Sequence, residues 1–254
     1  MTNTNLFTPG WPQSIVEIDA AARAQNMPER EIKRLWETHD LLAKLFSGQY
    51  RGSGRPFINH LSGTAGLALV HAGDSSEILA SYAHAAYAQG DFGRLTTGAS
   101  PANRKTLRAV IGEAAEALVF NYDDFDWIAL LEQYSRDEEL FVSDSGRRLL
   151  FIKILNELDD SMDCGVYDTN WCEQCLHRLE LGASVIDELG RHSVAKKIRS
   201  HTRFLRTSGL VEAPGIRRKQ SVAIINPKFA PRQLLKFGRK VLNITSRIKN
   251  RLHF

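Results

Sequence analysis

The chain is poor in cysteine. Three thiols in 254 residues (Cys164, Cys172 and Cys175) cannot build a disulfide framework, and a reducing compartment is their natural setting. No apolar run approaches the roughly 20 residues that a membrane-spanning helix requires, which excludes one. The opening residues, MTNTNLFTPGWPQ, lack the basic start and apolar stretch of a secretory signal, so a cytoplasmic protein is expected. A phosphate-cradling glycine-rich loop and a nucleophile elbow are both missing, as are internal repeats. What remains is ordinary globular composition, with 43% hydrophobic and 24% charged residues, enough to bury a core.

Acid is missing from one end only. The last 40 residues, from Gly215, carry 11 Lys or Arg and no Asp or Glu, while the other 214 carry 22 basic against 29 acidic residues, a net charge of −7. An acidic body with a basic tail implies two parts with separate partners.

The body is expected to be all-α. In PEREIKRLWETHDLLAKLFSG, Pro28 and the acids after it open a helix and Gly48 closes it, with Ile32, Leu35, Leu42, Leu45 and Phe46 at helical spacing. Further helices are expected at 57–71, 76–88, 101–120, 143–163, 171–189 and 193–205, with Gly and Pro between most of them. Only residues 221–225 look β-like. The expected organisation is an N-terminal segment (1–27), a helical body (28–206), a linker (207–230) and a tail helix (231–254). On a helical wheel the tail places Leu234, Phe237, Val241, Leu242, Ile244, Ile248 and Leu252 on one side. Arg232, Lys236, Arg239, Lys240, Arg247 and Arg251 fall on the other, with Lys249 out of place. Such a basic amphipathic helix suits an anionic membrane surface, giving peripheral attachment, or a protein partner. An acidic body and the lack of interleaved aromatic residues argue against nucleic acid.

The most informative stretch is Gly48–His60, GQYRGSGRPFINH. It resembles the opening signature of the hydrolase domain in Rel/SpoT alarmone enzymes, a branch of the HD-domain metal phosphohydrolases. Gly48, Gln49, Arg51, Ser53, Gly54, Pro56, Phe57, Ile58 and His60 match that signature in register, and Ala65 fits the small residue that follows. Twenty-four residues on, ILASYAHAA places His84 where the family has its His-Asp pair. FIKILNELDDSMD resembles the third signature, with Lys153 matching, Asn156 on the ligand position and Asp160 on the family's Asn. The resemblance covers about 32–163 and implies an HD-like helical bundle, with His60, His84 and Asn156 as the metal positions. It also implies Arg51, Ser53 and Lys153 as contacts for a nucleotide or other phosphorylated ligand.

The departures from the family are chemical. Both metal-binding aspartates are missing: Ala85 follows His84, and Asn156 offers a neutral oxygen. Ala88 and Gln89 replace the Glu-Asp pair that helps activate water, Phe46 replaces an early histidine, and Leu61 replaces a proline. A hard divalent cation prefers carboxylate oxygens, and water activation needs the ion held firmly, so these losses leave at most a weakly bound divalent metal. Asp159, Asp160 and Asp163 could supply a carboxylate near the pocket or form a solvated helix end. The first expectation is therefore an HD-like binding module with impaired catalysis, in a regulatory role. The second is an active (p)ppGpp-hydrolase-type phosphohydrolase with rearranged ligands. His71 reads as surface, and Cys172 and Cys175 as neither a zinc nor a redox pair.

Overall fold

The computed structural model describes residues 10–93, 97–136, 142–164, 169–209 and 222–224. Among the described residues the protein is all-α apart from one short two-stranded ribbon. Helix α1 (Ile15–Ala24) starts at Ser14, whose hydroxyl accepts from the Glu17 N–H, and buries Ile18 and Ala22 on one face. Residues 11–24, expected to form a segment of their own, thus belong to the same core as the body, with Trp11, Ile15, Ile18 and Ala22 all within it. Helix α2 (Glu29–Leu45) follows Pro28 as expected and buries Ile32, Leu35, Thr38, Leu42 and Leu45.

Helix α3 (Phe57–Val70) is the central element and is buried along nearly its whole length. It packs on α1, on α4 (Ser75–Ala83) and on α9 (Asp144–Asp160). Two glycines allow the close approaches. A Cβ on Gly63 would stand 2.0 Å from an Asp159 carboxylate oxygen, and one on Gly66 would stand 2.3 Å from the Pro12 carbonyl.

Two expected long helices are each broken in two. The 76–88 helix is α4 followed by α5 (Ala86–Gln89), with His84 and Ala85 at the joint. The 101–120 helix is α6 (Pro101–Ile111) and α7 (Glu113–Tyr122), separated at Gly112, whose φ of +84° no side-chain-bearing residue adopts comfortably. Helix α8 (Trp127–Ser135), which periodicity did not expose, starts at the Asp126 cap. A 3-10 turn (Ser161–Asp163), α10 (Thr169–Glu188) and α11 (His192–Thr207) complete the body. The β-like run at 221–225 is real: β2 (Val222–Ile224) pairs antiparallel with β1 (Gln49–Arg51), Arg51 opposite Val222. The tail, 231–254, lies outside the described residues, as does most of the linker.

Candidate functional site

Helix α9 presents Lys153, Asn156, Glu157 and Asp160 at spacings of three and four, one stripe of a helix otherwise filled with core residues. That stripe forms one wall of a pocket of about 390 Å³, a size suited to a small ligand. β1 contributes Arg51, α3 contributes Phe57 and His60, the α4–α5 joint contributes His84, and α5 contributes Gln89. Tyr122 and Trp127 close the opposite side.

The two histidines meet here, their ring centroids 5.2 Å apart and nearly perpendicular. Each is held by its Nδ1. In His60 that N–H donates to Asp159 Oδ2 at 2.7 Å; in His84 it donates to the Ser81 carbonyl at 2.8 Å, an oxygen freed by the end of α4. Burial, helped by the nearby Arg51 charge, lowers both rings, His60 to about 3 and His84 to about 4. Both are therefore neutral near pH 7, with the proton on Nδ1 and a lone pair on Nε2. Among the described residues the buried His60 Nε2 has no hydrogen-bond partner, and neither has Gln89 Oε1. A buried acceptor left in that state costs about 1–3 kcal/mol, so it calls for an explanation.

Beside the histidines stand two guanidinium–carboxylate pairs. Arg51 Nη2 lies 2.5 Å from Asp160 Oδ1, its Nε lies 4.0 Å from Asp163, and the side chains of both Arg51 and Asp160 are more than 90% buried. Burial pushes the Asp160 carboxyl up to about 7, with Glu157, Asp159 and Asp163 adding to the rise and Arg51 opposing it. Arg55 forks onto Asp159 at 2.7 and 3.0 Å. Burial alone would raise Asp159, but Arg55 and His60 outweigh it and hold that carboxyl well below the usual carboxylate range. Gln13 Nε2 and Trp11 Nε1 also donate to Asp159, at 3.3 and 3.4 Å.

On the outer wall the Lys153 ammonium sits over the Tyr122 ring, 3.8 Å from its centroid, and makes no ion pair among the described residues. The buried Tyr122 ring also faces His84 at 5.2 Å.

The sequence-predicted residues are distributed as follows. Arg51, His60, His84, Lys153 and Asn156 all line the pocket. Ser53 does not: the tight turn closed by the Arg51 N–H to Arg55 carbonyl bond aims its hydroxyl at Asp163. His71 is half-buried, not surface, because Ser193 of α11 packs over it at 2.8 Å. Arg55, Trp127 and Tyr122 were missed. Asp160 was named as a carboxylate near the pocket, and the polar stripe on α9 could have flagged Glu157 with it, but nothing in the sequence couples Arg55 to Asp159, 104 residues away.

These side chains do not fit the divalent centre that the resemblance implies. Among the described residues no three His, Cys, Asp or Glu are placed to hold a metal ion. The reason is visible in the pairing. Asp160 is engaged by Arg51 and Asp159 by Arg55 and His60, so the carboxylates that could grip a cation already face internal ones.

Residues 41–126 match a protein family described as a domain of unknown function, DUF6817. That span includes Arg51, His60 and His84 and stops short of α9. No curated protein matches the chain.

Proposed function

We propose that the protein is a divergent HD-like binding module, without effective hydrolytic chemistry, whose pocket takes a nucleotide or another phosphorylated small molecule in a regulatory role. The observation that carries this reading is the outer wall: an ammonium that makes no ion pair among the described residues, Lys153, standing on the Tyr122 ring in a pocket that Trp127 also lines. An aromatic wall offers stacking for a planar base, and a cation beside it offers a contact for phosphate. The meeting of His60 and His84 from α3 and the α4–α5 joint supports the HD likeness. The engagement of Asp159 and Asp160 by arginines supports the loss of metal-dependent hydrolysis.

Calorimetry with nucleoside mono- and diphosphates, in chelator, tests the reading. Saturable binding of at least one nucleotide is expected, weakened about tenfold or more by Lys153→Met, with no phosphate released when Mn²⁺ is added. Nucleotide turnover abolished by His84→Ala would establish the phosphohydrolase reading instead.

The basic tail is proposed to tether a cytoplasmic protein to an anionic membrane surface or a protein partner. The support is its charge, 11 basic and no acidic residues from Gly215 onward. Full-length protein should sediment with phosphatidylserine vesicles at low salt, and a version ending at residue 230, which keeps β2, should not. Equal sedimentation of both removes the membrane arm.

A further inference from the structure

The inner end of the pocket has a polarity of its own. His60 Nδ1 is committed to Asp159 and His84 Nδ1 to the Ser81 carbonyl, so each ring turns its other nitrogen, Nε2, to the remaining surroundings as an acceptor. His60 is 1% exposed and its Nε2 has no donor; the buried Gln89 Oε1 in the same pocket has none either. Unsatisfied buried groups of one kind, gathered in one cavity, describe the missing partner: it must bring N–H or O–H. A phosphate oxygen brings lone pairs and would face lone pairs. The one strong cation nearby, Arg51, already faces Asp160 and Asp163. Among the described residues no three His, Cys, Asp or Glu side chains are placed to hold a metal ion.

We propose that His60 and His84 form a hydrogen-bond acceptor pair that takes an uncharged hydroxyl- or amino-bearing group of the ligand and turns phosphate away. Resting on the binding reading above, this assigns an orientation to the ligand. The donor-bearing end, a sugar hydroxyl or an amino group on a base, goes inward to the two imidazoles. The phosphate stays outside, near Lys153. The inner end is thus a specificity element that asks for donors, in contrast to the outer wall, which asks for negative charge and a flat ring. Asp159 acts through His60 as a positioning residue, because its carboxylate keeps the proton on Nδ1 and the lone pair on Nε2.

Full-length protein labelled with ¹⁵N in its histidines provides the test, with ring tautomers read from two-bond proton–nitrogen correlations and assigned with His84→Gln. The free protein should show Nδ1 protonated and Nε2 bare in both rings. Adenosine, or glycerol as a minimal hydroxyl donor, should move both Nε2 resonances saturably, and inorganic phosphate at equal concentration should move neither. The idea is overturned by a proton on either Nε2 in the free protein, or by Nε2 signals that answer neither adenosine nor glycerol. Movement with phosphate alone, or stoichiometric shifts with Zn²⁺, also overturns it. These readouts use the wild-type chain, and if His84→Gln fails to fold, single variants of the six histidines outside the pocket (His39, His71, His177, His192, His201 and His253) identify the pocket pair by elimination. AMP titrated in parallel separates the two readings. AMP binding with unmoved Nε2 signals removes this inference and leaves the phosphorylated-ligand reading. Nε2 shifts with adenosine and no AMP binding leave this inference and count against the other.

Discussion

His60 and Asp159 lie 99 residues apart in the chain and 2.7 Å apart in space, with the ring Nδ1–H donating to the carboxylate. Asp159 is fully buried and also receives Arg55, Trp11 and Gln13. One carboxylate therefore orients the imidazole in the pocket and fastens both the 51–55 turn and the N-terminal segment to α9. Asp159→Ala should destabilise the protein by about 3–5 kcal/mol, because it strands the largely buried Arg55 charge and the His60 N–H together. Urea denaturation checks this, and a loss under 1 kcal/mol would show that the hub is dispensable.

The helix crossings around this hub depend on two missing side chains. Gly63→Ala drives a methyl into the Asp159 carboxylate, and Gly66→Ala drives one into the Pro12 backbone. Each should cost about 1–3 kcal/mol despite alanine's better helix propensity. Gly182→Ala on α10 is the control: its new Cβ meets only the Ile154 side chain, at 3.2 Å, so a shift of that side chain by a few tenths of an ångström accommodates it. Melting followed by circular dichroism should rank the control well above the other two.

Acid should weaken the fold well before ordinary carboxylates titrate. His60, His71, His84 and His201 are lowered by burial to about 3, 4, 4 and 4, from an ordinary 6.5. As pH falls from 6.5 toward 4, the unfolded chain takes up protons that these folded-state rings refuse, so stability drops. Asp160 works the other way: raised to about 7, it takes up its proton in the folded state between pH 7 and 4 and adds stability there. Asp123, Glu157 and Asp163 are raised too and share that direction, but the large shifts are those of the four histidines against that of Asp160, and the histidines prevail. The melting temperature should be lower at pH 5 than at pH 7, and a higher value at pH 5 would contradict the neutral-histidine core.

Arg51→Met leaves Asp160 without its nearest cation. The variant should be less stable than wild type at pH 8, where the carboxyl must be ionised in a buried site. The gap should narrow at pH 5, where that carboxyl is protonated. Denaturant midpoints of both proteins at the two pH values measure it, and a gap that widens at pH 5 would contradict the pairing.

Much of this was legible in the chain itself. Apolar spacing, with Gly and Pro punctuation between most helices, fixed the positions of α2, α3 and α9 to within a few residues, because those signals are local. The run Gly48–His60 drew attention to Arg51 and His60, which line one pocket. The breaks at His84 and Gly112 were not legible. Apolar periodicity continues across both, while the first depends on where the ring and the freed Ser81 carbonyl come to lie, and the second on a backbone angle.

The sequence by itself determined the helical class and the contrast between acidic body and basic tail, since both follow from residue identity and near-neighbour spacing. Only the tertiary structure decided what became of the carboxylates on α9. Asp159 and Asp160 are adjacent on one helix turn, yet one answers to Arg55 and His60 and the other to Arg51. Those partners arrive from segments about 100 residues away. Whether a buried charge meets a cation of the chain or waits for one from solution is settled by packing, which brings distant side chains within reach of each other.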